Sequence, residues 1–174
     1  MEKLILKAQK GDSEAFIEAI NYILPQLYKI AKTRLNSEED IGDAIQDTII
    51  SAFENISTLK NLEFFKTWVV RILINKCNDI YKKNNKVVYL ETLDNCSEIH
   101  CSSNDAAIDK IDIQDAIKHL SKDYQNTINL YYGSGFTTKE IGQILNESEG
   151  TIKSRLSRAR NILKNYLLNY REVR

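Results

Sequence analysis

Lys153, Arg155, Arg158, Arg160 and Lys164 stand between Gly150 and Tyr170 with no acidic residue among them. At about 100° per residue, Ile152, Leu156, Ala159 and Leu163 fall on one side of a helix. Gly150, Thr151, Ser154, Ser157, Arg158 and Asn161 point roughly the other way, with Lys153, Arg155 and Arg160 on the flanks. Small polar residues around one outward arginine suit close approach to base edges, and flanking cations suit phosphates. A merely solvated face usually mixes both signs of charge, so DNA contact is the expected chemistry.

Other chemistries find little support. Cys96, His100 and Cys101 form an irregular C-x-x-x-H-C set, three candidates where structural zinc takes four, so no metal is expected. No Walker loop, H-E-x-x-H or Ser-His-Asp pattern occurs, and the only histidines are His100 and His119. The chain is expected to be no enzyme and to need no cofactor.

The elements that must position the basic stretch are helices. Thr137 followed by Glu140 reads as a capping box, and Ile141, Ile144 and Leu145 make a short apolar stripe. Asn146-Glu147-Ser148 breaks the pattern, and Ser148 can cap the basic helix. Short helix, tight turn and longer basic helix make a helix-turn-helix. Upstream, Ile113, Ile117 and Leu120 begin one helix. Ser121 is placed to cap the next, with Tyr124, Ile128 and Tyr131 or Tyr132 inward and a stop at Gly133 and Gly135.

The N-terminal part carries its own helical pattern. Leu4, Ile5 and Ala8 stop at Gly11, and Asp12 can cap a helix bearing Phe16, Ile20, Ile23, Leu27 and Ile30. Pro25 should kink or divide that helix. Ile41, Ala44, Ile45, Ile49 and Phe53 are expected inward on the next, leaving Asp43, Gln46, Asp47 and Ser51 on a polar flank. Asn55 to Lys60 reads as a loop. A last helix is expected from about Glu63 to Lys82, with Phe65, Trp68, Val69, Ile72, Leu73 and Ile80 at helical spacing.

Net charge is zero over 174 residues, but its distribution is uneven. Residues 1–84 hold 12 basic and 12 acidic side chains, 85–113 hold 2 and 6, and 114–174 hold 10 and 6. The pattern predicts an all-α chain of two small helical domains, 1–84 and 113–174, joined by a flexible acidic linker, 85–112, with the second domain a four-helix helix-turn-helix unit. One proline and six glycines agree with helices throughout. No apolar run approaches a membrane span, the start Met-Glu-Lys-Leu lacks the layout of a signal peptide, and three cysteines suggest no disulfide framework. A cytosolic protein without membrane insertion is expected.

Several stretches together resemble a known family. Ala8-Gln-Lys-Gly-Asp12 with Ala15-Phe16, Asp43-Ala-Ile-Gln46-Asp47-Thr, and Phe65-Lys-Thr-Trp68-Val-Val-Arg71-Ile72 with Asn75 resemble region 2 of extracytoplasmic-function (ECF) sigma factors of the bacterial sigma-70 family. Leu120-Ser121 with Tyr124, and Gly150 to Arg160, resemble region 4. The matches occur at both ends of the chain in the family's order.

The resemblance implies a polymerase specificity subunit that recognises −35 and −10 promoter elements and assists strand opening. Region 2 spans 1–84 and region 4 spans 113–174. Asp43, Gln46 and Asp47 would dock on the clamp helices of the largest catalytic subunit of core RNA polymerase, with the flap a second contact. Asn75, Trp68, Arg71 and Lys76 occupy positions that meet the −10 element, although the helical phase of Trp68 favours the core. Gly150, Thr151, Lys153, Ser154, Arg155, Ser157, Arg158 and Arg160 would meet the −35 element. The implied partners are core polymerase, promoter DNA and an anti-sigma factor, and the free chain is expected to be a monomer. The alternative is a dimeric helix-turn-helix regulator, against which the D-x-x-Q-D and F-x-x-W elements speak.

Overall fold

The computed structural model describes residues 1–91 and 113–172. Its helices are α1 Glu2–Gln9, α2 Ser13–Lys32, α3 Glu38–Asn55, α4 Phe65–Glu91, α5 Ile113–Lys118, α6 Lys122–Ile128, α7 Thr138–Leu145 and α8 Glu149–Glu172. Short 3-10 turns, Ile56–Thr58 and Leu62–Phe64, join α3 to α4. No strand occurs among the described residues, and the helices form two domains, α1 to α4 and α5 to α8. Cys96, His100 and Cys101, and most of the acidic stretch, lie outside the described residues.

Local signals set the helix starts of the first domain. Gly11 takes φ +96°, and the Asp12 carboxylate accepts from the Ala15 amide at 3.0 Å, so α2 starts where α1 stops. Phe16, Ile20, Ile23 and Leu27 of α2 meet Ile41 and Ala44 of α3 and Phe65, Val69 and Leu73 of α4 in one buried core. Each of the larger side chains contributes about 1.5–3 kcal/mol by leaving water.

Two expectations need correction here, on Phe53 and on the end of α4, and two are filled out, at Pro25 and in the loop after α3. Helix α2 runs through Pro25 undivided. Pro25 and Asn21 both lie on its exposed side, so the carbonyl left without an N–H donor faces solvent. Phe53 is not inward. The buried stripe of α3 is Ile41, Ala44, Thr48 and Ala52, and Phe53, one residue round from Ala52, is 48% exposed with its ring edge-on to Phe16 at 5.1 Å. Thr48 fits an apolar stripe because its hydroxyl donates to the Ala44 carbonyl. The Asn55–Lys60 loop is tied to the rest of its domain. Ile56 and Leu59 are buried, and the Gln9 amide donates to the carbonyls of both, at 2.9 and 2.8 Å. Finally, α4 continues past Lys82 to Glu91, into the stretch expected to be linker.

In the second domain, Leu120, Ile128, Leu130, Phe136, Ile141, Ile144, Ile152, Leu156 and Ala159 are buried. Tyr131 and Tyr132 are both exposed, against expectation, and pack edge-on to each other at 4.8 Å. The cause is a widening of the helix after α6 into a π turn, Asn129–Gly133, which rotates Leu130 inward instead. Ser121 stands at the cap of α6, but its side chain takes no backbone N–H. The Gln125 amide ties this corner instead, donating to the carbonyls of Lys118 and Leu120 at 3.0 and 2.7 Å.

The two domains pack against each other, with α4 lying on α7. Gln26 donates to the Ser134 carbonyl at 2.8 Å and Lys29 to the Gly133 carbonyl at 3.1 Å. The Lys66 ammonium lies 5.0 Å from the centre of the Phe136 ring.

Candidate nucleic-acid and polymerase interfaces

The helix-turn-helix is built from its caps outward. Thr137 Oγ1 accepts from the Glu140 amide at 3.2 Å, and the Glu140 carboxylate accepts from the Thr137 amide at 2.8 Å, a reciprocal box. The turn is set by Asn146 at φ 58° and by close backbone approach at Gly142. A Cβ on Gly142 would stand 2.8 Å from the Glu147 carbonyl oxygen, which only glycine avoids. Ser148 Oγ then accepts from the Thr151 amide at 3.0 Å and starts α8.

Helix α8 presents two opposed stripes. Ile152, Leu156 and Ala159 are buried against the domain. Gly150, Thr151, Ser154, Ser157, Arg158 and Asn161 are exposed. Nothing but Ser148 Oγ, 3.7 Å away, would meet a Cβ at Gly150, so packing does not dictate glycine there.

The cations of α8 differ in their freedom. Arg158 is exposed and unpaired among the described residues. Lys153 pairs with Glu149 at 2.8 Å. That ammonium first, and the Thr138 hydroxyl second, hold the Glu149 carboxyl below its usual range. Arg160 turns back along its own helix, its Nε donating to the Leu156 carbonyl at 3.2 Å. Arg155 departs most from a DNA-facing role in this conformation. Its guanidinium lies 2.8 Å from Glu147 and 3.9 Å from Asp123, and its side chain is only 20% exposed. The reason is phase: Arg155 lies beside the buried stripe, on the flank that faces the domain seam.

On α4 the four residues matched to −10 contacts part company. Trp68 is partly buried and packs on the core, with its ring 6.3 Å from that of Phe65. Arg71 and Asn75 are exposed and line a polar cleft of about 400 Å³ between the domains. Lys76 reaches back to Asp47 of α3 at 3.9 Å. Arg34, in the turn that follows α2, shares the cleft, although the sequence reading did not single it out. It comes just after Leu27, Ile30 and Ala31 of the buried stripe of α2, and a cation continuing that spacing was the available signal. Burial lowers its pKa.

Asp43, Gln46 and Asp47 are exposed together on one face of α3, at i, i+3 and i+4. Ile50, 48% exposed, continues the same face one turn on. Two carboxylates, an amide and an apolar tip can receive a partner helix bearing arginines. Gln9 is the other residue missed as a contributor, since it holds the loop that precedes α4.

No described helix is long and apolar enough to cross a membrane, and no group of three or more metal-ligating side chains is found among the described residues. The family model for Sigma-70 region 2 matches residues 19–87 and that for Sigma-70, region 4, matches residues 110–163. The ECF RNA polymerase sigma factor SigW of Bacillus subtilis is 29% identical over 96% of this chain and 96% of its own length. Among solved structures, RpoE in complex with the anti-sigma factor NepR from Bartonella quintana superposes with a TM-score of 0.67 at 28% identity, covering 87% of this chain and 96% of that one. CnrH in complex with the cytosolic domain of CnrY has the same fold, with a TM-score of 0.70 at 22% identity over 95% of this chain and 96% of that one. Both regions occur in the family's order, on the helices whose exposed faces have just been described, and the chain belongs to the sigma-70 family as an ECF sigma factor.

Proposed function

We propose that this chain, as a sigma factor directing promoter-specific initiation, reads the −35 element with the exposed stripe of α8 and receives a strand of the −10 element on α4. The observation that carries this reading is the pair of opposed stripes on α8: small residues and an unpaired Arg158 outward, an apolar row inward. A bidentate arginine contact on guanine supplies about 1–3 kcal/mol of discrimination. Gly150, Thr151, Ser154 and Ser157 let the duplex come close, while Lys153 and Arg160 sit at phosphate height. Arg71 and Asn75 are the residues of α4 best placed for a strand, and the held loop before α4 gives that strand a fixed edge. Asp43, Gln46 and Asp47 form the docking flank for the clamp helices, and region 4 meets the flap.

The domains are assigned as 1–84 for region 2 and 113–174 for region 4. The chain acts without catalysis of its own, in the cytoplasm, as a monomer until it meets core polymerase. An anti-sigma factor is a further partner, in line with the complex of RpoE with the anti-sigma factor NepR. Run-off transcription tests the reading. Core polymerase plus this chain should initiate on a promoter library at defined −35 and −10 sequences. Transcription that stays at the level of core polymerase alone would overturn it.

A further inference from the structure

A cavity of about 260 Å³ lies where the end of α2 meets the π turn of the second domain. Its volume is close to the roughly 300 Å³ at which small-molecule pockets begin. The aliphatic side chains of Ile30, Ile117, Ile128 and Leu130, all buried or half-buried, form part of its lining. Lys29, Arg34, Asn126 and Asn129 bring polar groups, and no carboxylate lines the cavity among the described residues. The larger cleft differs in this respect, since Asp123 and Glu147 line it. A π turn is itself a feature that recurs at functional sites, and this one carries Asn129, Leu130 and Gly133 to the cavity.

The backbone acceptors at this cavity are taken, while its charged donors are not spent. Ile30 accepts from the Thr33 amide and hydroxyl, at 3.1 and 2.8 Å, and Ala31 accepts from the Arg34 and Leu35 amides, both at 2.9 Å. The carbonyls of Gly133 and Ser134 accept from Lys29 and Gln26. Lys29 has thereby used one of the three protons of its ammonium. One terminal nitrogen of Arg34 reaches Asn78 at 3.3 Å, and the other, Nη2, is buried with no hydrogen-bond partner. The side-chain amides of Asn126 and Asn129 make no hydrogen bond among the described residues. A buried charged donor without an acceptor is costly, and it calls for a partner that the chain itself does not supply.

We infer that this cavity is a binding site for a small organic anion, a carboxylate with a short apolar body, its head group held by Arg34 and Lys29 and its body laid on Ile30, Ile128 and Leu130. The carboxylate supplies the acceptor that Arg34 lacks, through a charge-assisted bond. A neutral molecule would leave that guanidinium unpaired, and a bare inorganic anion would leave the aliphatic wall uncovered. Asn126 and Asn129 have amide donors left for the second carboxylate oxygen. The lining comes from both domains, so an occupant adds to the stability of both, and the chain gains a means of responding to a metabolite of this class.

The test titrates hexanoate into the full chain, with hexanol and inorganic phosphate as controls for the apolar body and the head group alone. Binding is followed by the backbone amide signals in heteronuclear NMR spectra and by the thermal unfolding midpoint. The expected result is saturable hexanoate binding with a Kd of about 1 mM, and roughly tenfold weaker binding of either control. Shifts should centre on Ile30, Arg34 and the Asn129–Gly133 turn, and the unfolding midpoint should rise with hexanoate concentration. Arg34→Met, which keeps the apolar stem and removes the guanidinium, should weaken hexanoate binding about tenfold, and Lys29→Gln about threefold. If circular dichroism shows that Arg34→Met does not fold, Lys29→Gln carries the same comparison. No saturable binding of hexanoate, equal binding of either control, shifts centred on the larger cleft, or unchanged affinity in a folded variant would overturn the inference. The assay uses neither polymerase nor promoter, so its outcome is separate from that of the run-off experiment.

Discussion

Helices α4 and α8 are both long, both basic along one side and both matched to promoter contacts, yet their cations are used differently. On α8 the outward arginine is free and the outward neighbours are small. On α4 the corresponding side chains differ: Trp68 packs on the core, Lys76 reaches Asp47, and Arg71 and Asn75, though exposed, line the cleft between the domains. A duplex-reading helix can display its contacts permanently, because a duplex arrives already formed. A strand-binding face, the role proposed for α4, has no ligand until the duplex opens, and here it lies along a cleft rather than on an open surface.

Five substitutions would break or sharpen that contrast. The largest effect is expected at the docking flank. Asp47→Arg should abolish capture of core polymerase in a pull-down while changing the unfolding free energy by no more than about 0.5 kcal/mol, since the side chain is exposed and its bond to Lys76 is long. Wild-type capture would remove Asp47 from the interface.

Next in size is Phe65→Ala at the root of α4. It removes a fully buried ring and should cost about 3–5 kcal/mol, read by urea unfolding followed by circular dichroism. The same variant should lose strand binding because α4 is no longer held, and strand binding retained at full strength would mean that the face of α4 does not depend on the core beneath it.

Arg158 and Arg160 then separate base reading from positioning on α8. Arg158→Ala should flatten the preference at one or two positions of the −35 element, a loss of about 1–3 kcal/mol in discrimination, in a saturation library transcribed by each holoenzyme. Arg160→Ala should weaken binding evenly across sequences, with the preference intact. A uniform drop for Arg158→Ala would mean that the stripe is assigned to the wrong side of the helix.

The smallest effect is at the start of α7. Thr137→Ala removes the hydroxyl of the capping box and should cost about 1 kcal/mol, measured as a shift in the urea midpoint. The loss should fall on the second domain, so −35 recognition should suffer before polymerase docking does.

What could be read in advance follows the range of the interaction. The caps at Asp12, Thr137 and Ser148 act within three residues, and each stands where the spacing places it. The apolar row of α8 is equally local, set by helical period alone. Phe53 and the Tyr131–Tyr132 pair came out differently, because a single residue of phase, or one widened turn, decides which neighbour is buried. The exposed faces of α8 and α3 on which the proposed contacts lie were legible. It was not legible where it depends on residues distant in the chain: Gln9 on the carbonyls of Ile56 and Leu59, Arg155 between Glu147 and Asp123, and Arg34 opposite the helix-turn-helix turn. No local period records those meetings.

The separation of stripes on α8 also bears on how such a protein can change over generations. Ile152, Leu156 and Ala159 fix the helix to its domain, and none of them is an outward residue. Thr151, Ser154, Ser157 and Arg158 contribute almost nothing to that anchoring, so they are free to vary together. On the reading proposed for α8, a duplicated copy can acquire a new promoter preference through a handful of outward substitutions with no repair needed in the core. Two copies in one cell can thus diverge into separate gene programmes while sharing the same polymerase, because the acidic flank of α3 lies on the other domain and inherits none of those changes.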